Sequence, residues 1–358
     1  MDYCRESVIV VARRVSLLLA ILLECLTSDR GHARLQSLMN ADSTHEDRRM
    51  DAWHSDRWPT VSVIVPVYND PSGLRDTLDS LTRQTYPDAA HEILVVDNNS
   101  TDETPAVARA YADKHDQVTF LVEEDRQSSY AARNTGIDHA HGEIFAFVDA
   151  DMLVETEWLA DAITAFADTD AEYMGCNVEM LPSEDRESIA ERFNLQTAFP
   201  IGHFIETLEF APTCCLVVHR TVLDDVGAFD PRLISGGDRE FGNRVRDSGR
   251  ELHFAPEVTM YHPTRSTTDA MVRKSRRIGR GLYQLRTFHP DQYDSWLPLA
   301  LNPMPFLPPR LEQLRAIDDW EALSRREKAG FYLLSYARNV SNGIGRLEEM
   351  VRRRLLPR

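Results

Sequence analysis

The chain reads as an α/β protein in which helices flank a mostly parallel sheet. Three observations predict this. The run VSVIVPVY at 61–68 is apolar and rich in β-branched residues, which suits a strand buried on both faces. Strand-like and helix-like runs then alternate at the intervals of βαβ units. Each strand-like run also closes on polar residues, so the carboxyl ends of the strands should share one edge, where open α/β sheets bind ligands.

The elements follow in order. Pro71 opens a helix over 71–85 that carries Leu74, Leu78 and Leu81 at helical spacing. EILVVDNNS is a second strand ending in a polar turn, 101–114 a helix, VTFLVEE a third strand, 128–140 a helix and GEIFAFVDAD a fourth strand. After Asp151 the alternation loosens: a helix is expected over 155–167, strands at 173–180 and 214–219, a helix over 238–248 and a strand at 252–261. Past residue 265 the composition changes. Arg265, Arg273, Lys274, Arg276, Arg277, Arg280 and Arg286 form a basic stretch, followed by WLPLALNPMPFLPP, which is too broken by proline to span a membrane.

The 358 residues are 42% hydrophobic, enough for a large core, and carry a net charge of −17 with only three lysines, Lys114, Lys274 and Lys328. Abundant acid with almost no lysine points to a proteome adapted to high salt, where surface charge maintains solubility and salt screens the repulsion. The acidic surface argues against nucleic acid as a partner. Five cysteines (Cys4, Cys25, Cys176, Cys214, Cys215) with no C-x-x-C pair indicate neither a disulfide framework nor a zinc site, and fit a reducing cytoplasm. Cys214 and Cys215 lie in an apolar run and read as buried strand residues. Near the N-terminus, the apolar run 15–23 is too short to span a bilayer and reads either as a membrane-surface helix or as a start site placed too far upstream; 27–58 reads as a linker.

The shared edge gathers the residues that carry chemistry. Pro66, Tyr68 and Asn69 close the first strand and Asp97 the second; Arg133 lies on the third helix, and Asp149 and Asp151 close the fourth strand. Two carboxylates at i, i+2 supply hard oxygen ligands for Mg²⁺ or Mn²⁺, which complete their shells with phosphate and water. A lone D-x-D is nonetheless common on solvated turns. Asp97 is placed either to accept from a base or ribose or to close an Asx-turn. Tyr68 either stacks on a base or packs at the sheet edge. Arg133 either pairs with phosphate or forms an ion pair with Asp138 or a neighbouring acid.

In their order and spacing, VSVIVPVYN, VVDNNSTDET, ARNTGI, VDAD and GGDREFGNR closely resemble the family-two glycosyltransferases, over roughly 59–265. The acidic, lysine-poor composition makes this a salt-adapted member of haloarchaeal type. The resemblance implies a GT-A fold and an inverting transferase that uses a nucleotide-sugar, commonly a UDP-sugar. It divides the chain into an N-terminal extension (1–58), a nucleotide-sugar-binding half (59–154), a smaller acceptor-binding half (155–265) and a helical C-terminal extension (266–358). By matching position, Pro66, Tyr68, Asp97, Arg133 and Asp149 are implied to bind nucleotide-sugar, and Asp149 and Asp151 the metal. Some relatives add a histidine ligand near this position, so His262 is either a third metal ligand or a structural residue. The base is implied at Asp238, with Glu240 as substitute; otherwise Asp238 is an N-cap. Many relatives carry Glu before that Asp, where this chain has Gly237. Arg244 faces either phosphate or an ion-pair partner.

The basic stretch contacts an anionic membrane surface or a lipid-phosphate acceptor, or else pairs with the protein's own acids. The Q-x-x-R-W motif of the processive synthases is absent from RKSRRIGRG, which implies transfer of a single sugar to a glycan or polyprenyl-phosphate-linked acceptor. A polyprenyl-phosphate sugar synthase remains open within the family. Outside it stand a nucleotidyltransferase, disfavoured because PVYNDPSG is no phosphate loop, and an inactive sugar-nucleotide-binding module.

Overall fold

The structure is a computed structural model that describes residues 58–169, 171–182, 188–264, 267–293, 303–315, 317 and 320–355. Cys4, Cys25, the apolar run at 15–23, the linker up to 57, Arg265 and the start of the proline-broken segment lie outside the described residues. Residues 58–358 form one compact unit.

The first half follows the expected alternation: β1 (Val61–Val67), α1 (Pro71–Leu81), β2 (His91–Asp97), α2 (Thr104–Lys114), β3 (Val118–Val122), α3 (Ser129–His139) and β4 (Ile144–Phe147). β1 pairs in parallel with both β2 and β4, and β2 with β3. Ile64, Val65, Phe145 and Phe147 are fully buried, as strands covered on both faces require. Helix ends are drawn in by side-chain caps. The Thr82 hydroxyl donates to the Leu78 carbonyl where α1 stops, and Asp102 accepts from the Thr104 amide where α2 begins.

The second half runs β5 (Leu153–Val154), α4 (Trp158–Asp168), β6 (Tyr173–Leu181), α5 (Ile189–Thr197), α6 (Ile201–Leu208), β7 (Leu216–His219), α7 (Arg220–Val226), α8 (Gly237–Asp247) and β8 (His253–Pro263). The eight strands form one sheet in the order β3-β2-β1-β4-β7-β6-β8-β5. Here β4–β7, β7–β6 and β8–β5 are antiparallel, and β6–β8 is parallel. The sheet is therefore mixed, and its parallel character is concentrated in the first half. Antiparallel neighbours need no crossover helix, which is why the regular spacing is lost after Asp151. Cys214 and Cys215 occupy a 3-10 turn just before β7, rather than the strand itself, and are buried. Burial pushes the Cys176 thiol up to about 12, so it stays protonated.

The C-terminal extension is α9 (Thr268–Phe288), α10 (Pro290–Tyr293), α11 (Leu311–Arg315) and α12 (Arg325–Leu355). α9 packs on α12 through paired charges. Arg276 donates to Glu348 at 2.7 Å, and fully buried Glu349 accepts from Gln284 at 2.8 Å and Arg353 at 2.9 Å, with Arg280 at 3.4 Å. Burial pushes the Glu349 carboxyl up, but Gln284, Arg352 and Arg353 outweigh it and hold it below its ordinary value. Arg273 pairs with Asp269. Several cations of the basic stretch thus pair with the protein's own acids, the second of the two readings offered above. No helix among the described residues is long and apolar enough to cross a membrane.

The α9–α12 crossing depends on Gly279, where an added Cβ would overlap the Asn342 carbonyl. Gly279→Ala should force the helices apart and lower stability by about 1–3 kcal/mol, read as a lower denaturant midpoint with an unchanged slope.

Candidate active site

The carboxyl ends of β1 and β2 build a pocket of about 280 Å³, lined by Pro66, Val67, Tyr68 and Asn98, by Gln127, Ser128 and Ser129 before and at the start of α3, and by Ile234 and Arg277. Two loops brace it. Asn69 and Asn99 sit at φ 51° and 64°, a left-handed conformation that asparagine tolerates. The Asn69 amide donates to Ser100 Oγ at 2.8 Å, and Asn69 Oδ1 accepts from the Thr101 amide at 2.8 Å. Asp97 is buried. Its Oδ2 closes the expected Asx-turn on the Ser100 amide at 3.0 Å, while its buried Oδ1 has no partner among the described residues. One carboxyl thus forms the turn and keeps a spare acceptor beside the pocket. Tyr68 is 49% exposed at the pocket's mouth rather than packed against the sheet.

The first turns of α3 carry the next group. Ser128 caps the helix on the Tyr130 amide, and its hydroxyl donates to Leu233 in the loop before α8. Arg133, 3% exposed, pairs with Asp149, donates to the Ser129 carbonyl at 3.3 Å and lies over the Tyr130 ring at 5.7 Å. Of the two readings for Arg133, the structure shows the ion pair, and the partner is Asp149 rather than Asp138. Asp149 and Asp151 accordingly turn to different partners: Asp151 Oδ2 lies 3.5 Å from His262 Nε2.

The sheet explains that contact. β5 pairs with β8 so that Leu153 faces Tyr261 and Val154 faces Met260, which brings Asp151 within one residue of the level of His262. His262 is buried and its Nδ1 lies 2.7 Å from the Pro263 carbonyl. A carbonyl only accepts, so Nδ1 carries a proton, and Nε2 is the ring nitrogen that faces Asp151. Phe199 packs on the imidazole at 5.1 Å with φ of 49°, a costly conformation for an aromatic residue, and Lys274 lies over its ring at 4.8 Å.

Asp238 is the second residue of α8, which is capped by Gly236, so it is not the N-cap. Its Oδ1 accepts from the Arg239 amide at 2.9 Å and from the Tyr130 hydroxyl at 3.4 Å. Burial raises the Asp238 carboxyl above its ordinary value, against the pull of the Arg239 amide and the charges of Arg133 and Arg277. Gly237 also has its reason here: a Cβ would lie 2.8 Å from the Tyr130 ring. Glu240 is buried and pairs with Arg244 at 2.6 Å, and Arg244 also donates to the Ala228 carbonyl at 2.7 Å. Both side chains are committed to joining α8 to the end of α7.

These contacts form a chain along one edge, from the pocket through Tyr130 to Asp238 and through Arg133 to Asp149, next to Asp151 and His262. Among the described residues no three of His, Cys, Asp and Glu form a ready-made metal cage.

A model of glycosyl transferase family 2 matches residues 62–227. Glycosyltransferase AglE of Haloferax volcanii is 38% identical over 227 residues, 63% of this chain and 74% of that protein. The chain belongs to glycosyltransferase family 2. The pre-mycofactocin glycosyltransferase of Mycobacterium tuberculosis is 25% identical over 65% of this chain and 48% of its own length. Among solved structures, the mannosyltransferase PcManGT of Pyrobaculum calidifontis, in complex with GDP-Man and Mn²⁺, superposes with a TM-score of 0.54 at 20% identity, covering 88% of this chain and 97% of that one. The fold is the GT-A fold of nucleotide-sugar transferases.

Sequence reasoning did not single out Tyr130, Phe199 or Arg277. Tyr130 follows the serines opening a helix, Phe199 sits between two helices, and Arg277 is one of several arginines in a row. No sequence signal separates them from their neighbours.

Two outcomes follow from this geometry. Arg133→Ala strips a buried charge-assisted bond and should cost about 1.5–3 kcal/mol, measured by denaturant titration. Because the Asp238 carboxyl is raised, the folded state binds more protons than the unfolded one between the ordinary value, about 3.9, and the raised one. Ionised Asp238 therefore lowers stability as pH climbs through that window. Asp238→Asn should melt above the wild type at neutral pH, with the difference fading below about pH 4.

Proposed function

We propose that the chain is an inverting, metal-dependent, non-processive transferase that moves one sugar from a nucleotide-diphosphate donor, a UDP-sugar, to a glycan or lipid-linked acceptor on the cytoplasmic side. The observation that carries this reading is the juxtaposition along one sheet edge of a nucleotide-sized pocket, the Asp151–His262 pair and a half-buried aspartate. We assign donor contacts to residues 59–154 and acceptor contacts to 155–265.

In this reading Tyr68 stacks on the base at the mouth, and the spare Asp97 Oδ1 accepts from the imide N–H of uracil. The diphosphate lies across the N-terminus of α3, where free amides and the helix dipole favour anions, with Arg277 facing it from α9. The donor set fits a divalent cation: one carboxylate, Asp151, and an imidazole whose Nδ1 is held by the Pro263 carbonyl so that Nε2 is turned toward Asp151. With only two protein ligands assembled, phosphate oxygens and water would complete the shell, and Asp149 adds its negative field while it orients Arg133. When bound, the metal neutralises charge on the departing nucleoside diphosphate. Asp238 takes the proton from the acceptor hydroxyl, and its raised affinity for protons makes it a better base than an ordinary aspartate. Tyr130 and the Arg239 amide hold that carboxylate in place.

The solved GT-A relative with GDP-Man and Mn²⁺ supports a nucleotide-sugar donor and a divalent ion in this fold, and the acidic, lysine-poor composition supports operation in high salt. Release of nucleoside diphosphate from a panel of UDP-, GDP- and CDP-sugars, with and without Mn²⁺ and a chelator, tests the reading. Asp238→Asn should reduce turnover by about 10²–10⁴-fold yet keep the thermal shift produced by UDP. Asp151→Ala should lose turnover and the metal-dependent part of that shift. Undiminished activity in chelator, or in Asp238→Asn, rejects the assignment.

A further inference from the structure

A second cavity, of about 520 Å³, lies against another face of α9, where Ser275 and Ile278 form its wall. Its other walls are the segment 303–313 and the α12 residues Arg338, Asn342 and Arg346, with Arg310 at the rim. Among the described residues that line it none is acidic, in a chain of net charge −17. The arginines of the α9–α12 seam are matched with glutamates, but Arg338 and Arg346 have no carboxylate partner among the described residues. Arg338 stacks on Phe193 at 5.2 Å, and Arg346 Nε and Asn342 Oδ1 are buried without hydrogen-bond partners. Burial pulls both guanidinium groups below their ordinary values, and Arg286 adds like-charge repulsion at Arg346. Cations in that condition are stabilised by an incoming anion.

The mouth of the cavity has a different character. Met304 and Leu307 line it and are 57% and 51% exposed, and Leu311 lies close by, 53% exposed. A soluble phosphate would engage the arginines and leave this apolar lip in water. A phosphate carried on a hydrocarbon chain would use both.

We propose that this cavity binds the phosphate head group of a lipid, with Arg338, Arg346 and Arg310 around the phosphate and the apolar chain leaving over Met304, Leu307 and Leu311. Guanidinium forks match phosphate oxygens bidentately. The apolar lip lets the chain dip into the interfacial zone of a bilayer without a spanning helix. The site extends the acceptor side of the transferase reading, but the binding step stands whether or not transfer follows.

Flotation of the full chain with phosphatidylcholine vesicles, plain or doped with polyprenyl phosphate, tests this in about 1 M salt, where the screening length is about 3 Å and diffuse surface attraction is suppressed. The chain should float with doped vesicles only. The Arg338→Gln/Arg346→Gln double variant should bind at least tenfold more weakly, and Leu307→Asp, at an exposed position, should weaken binding without threatening the fold. The thermal shift with UDP should persist in every variant, which separates failure of this site from failure of the donor site. Equal flotation of variants and wild type, or of plain and doped vesicles, overturns the proposal. Competition by inorganic phosphate at the concentration of the lipid phosphate overturns the lipid assignment and leaves a site for a free anion.

Discussion

The buried guanidinium of Arg133 organises the sheet edge where the carboxyl ends of the parallel strands meet. A charge that deep is tolerable only when paired and hydrogen-bonded; Asp149, the Ser129 carbonyl and the Tyr130 ring hold it, while its buried Nε has no hydrogen-bond partner among the described residues. In doing so they fix three elements against one another: the end of β4, the first turns of α3 and, through Tyr130, the start of α8. Its charge also reaches Asp238: burial raises the affinity of that carboxyl for a proton, and the Arg133 charge works against the rise.

The parallel half of the fold was legible because it rests on local rules. β-branched runs mark β1 and β2, a short apolar run marks β4, leucines at helical spacing mark α1, and polar residues mark the strand ends. The second half depends on pairings between distant segments that leave no periodic trace, so its mixed sheet was not predicted in detail. The same limit applies to the site. Asp149 and Asp151 are adjacent in sequence and read as a pair, yet three-dimensional pairing separates them: the partner of one comes from α3 and that of the other from β8, through the β5–β8 register. Gly237, which read as a departure from the family pattern, is the space that the Tyr130 ring fills.

Salt acts unevenly on such a molecule. At molar salt an exposed pair such as Arg273–Asp269 contributes little, because screening acts within a few ångströms. The Glu349 cluster and the Arg133–Asp149 pair each bury one partner almost completely, so their geometry survives conditions that neutralise the acidic exterior. Surface acids and buried pairs therefore do different work, the former keeping the chain dispersed and the latter holding helices and strands in register.

The family match ends at residue 227, before Asp238, His262 and Arg277. α9 belongs to the GT-A body as much as to the tail: Arg277 lines the pocket at the ends of β1 and β2, and Gln284 accepts from the Ile234 amide in the loop leading to α8. A chimera spliced at residue 227 would inherit a sheet and a cleft without Asp238, and one spliced after β8 would keep Asp238 but leave the loop before α8 without Gln284. The unit that keeps this edge intact when moved therefore extends at least through α9, past the stretch that the family model covers.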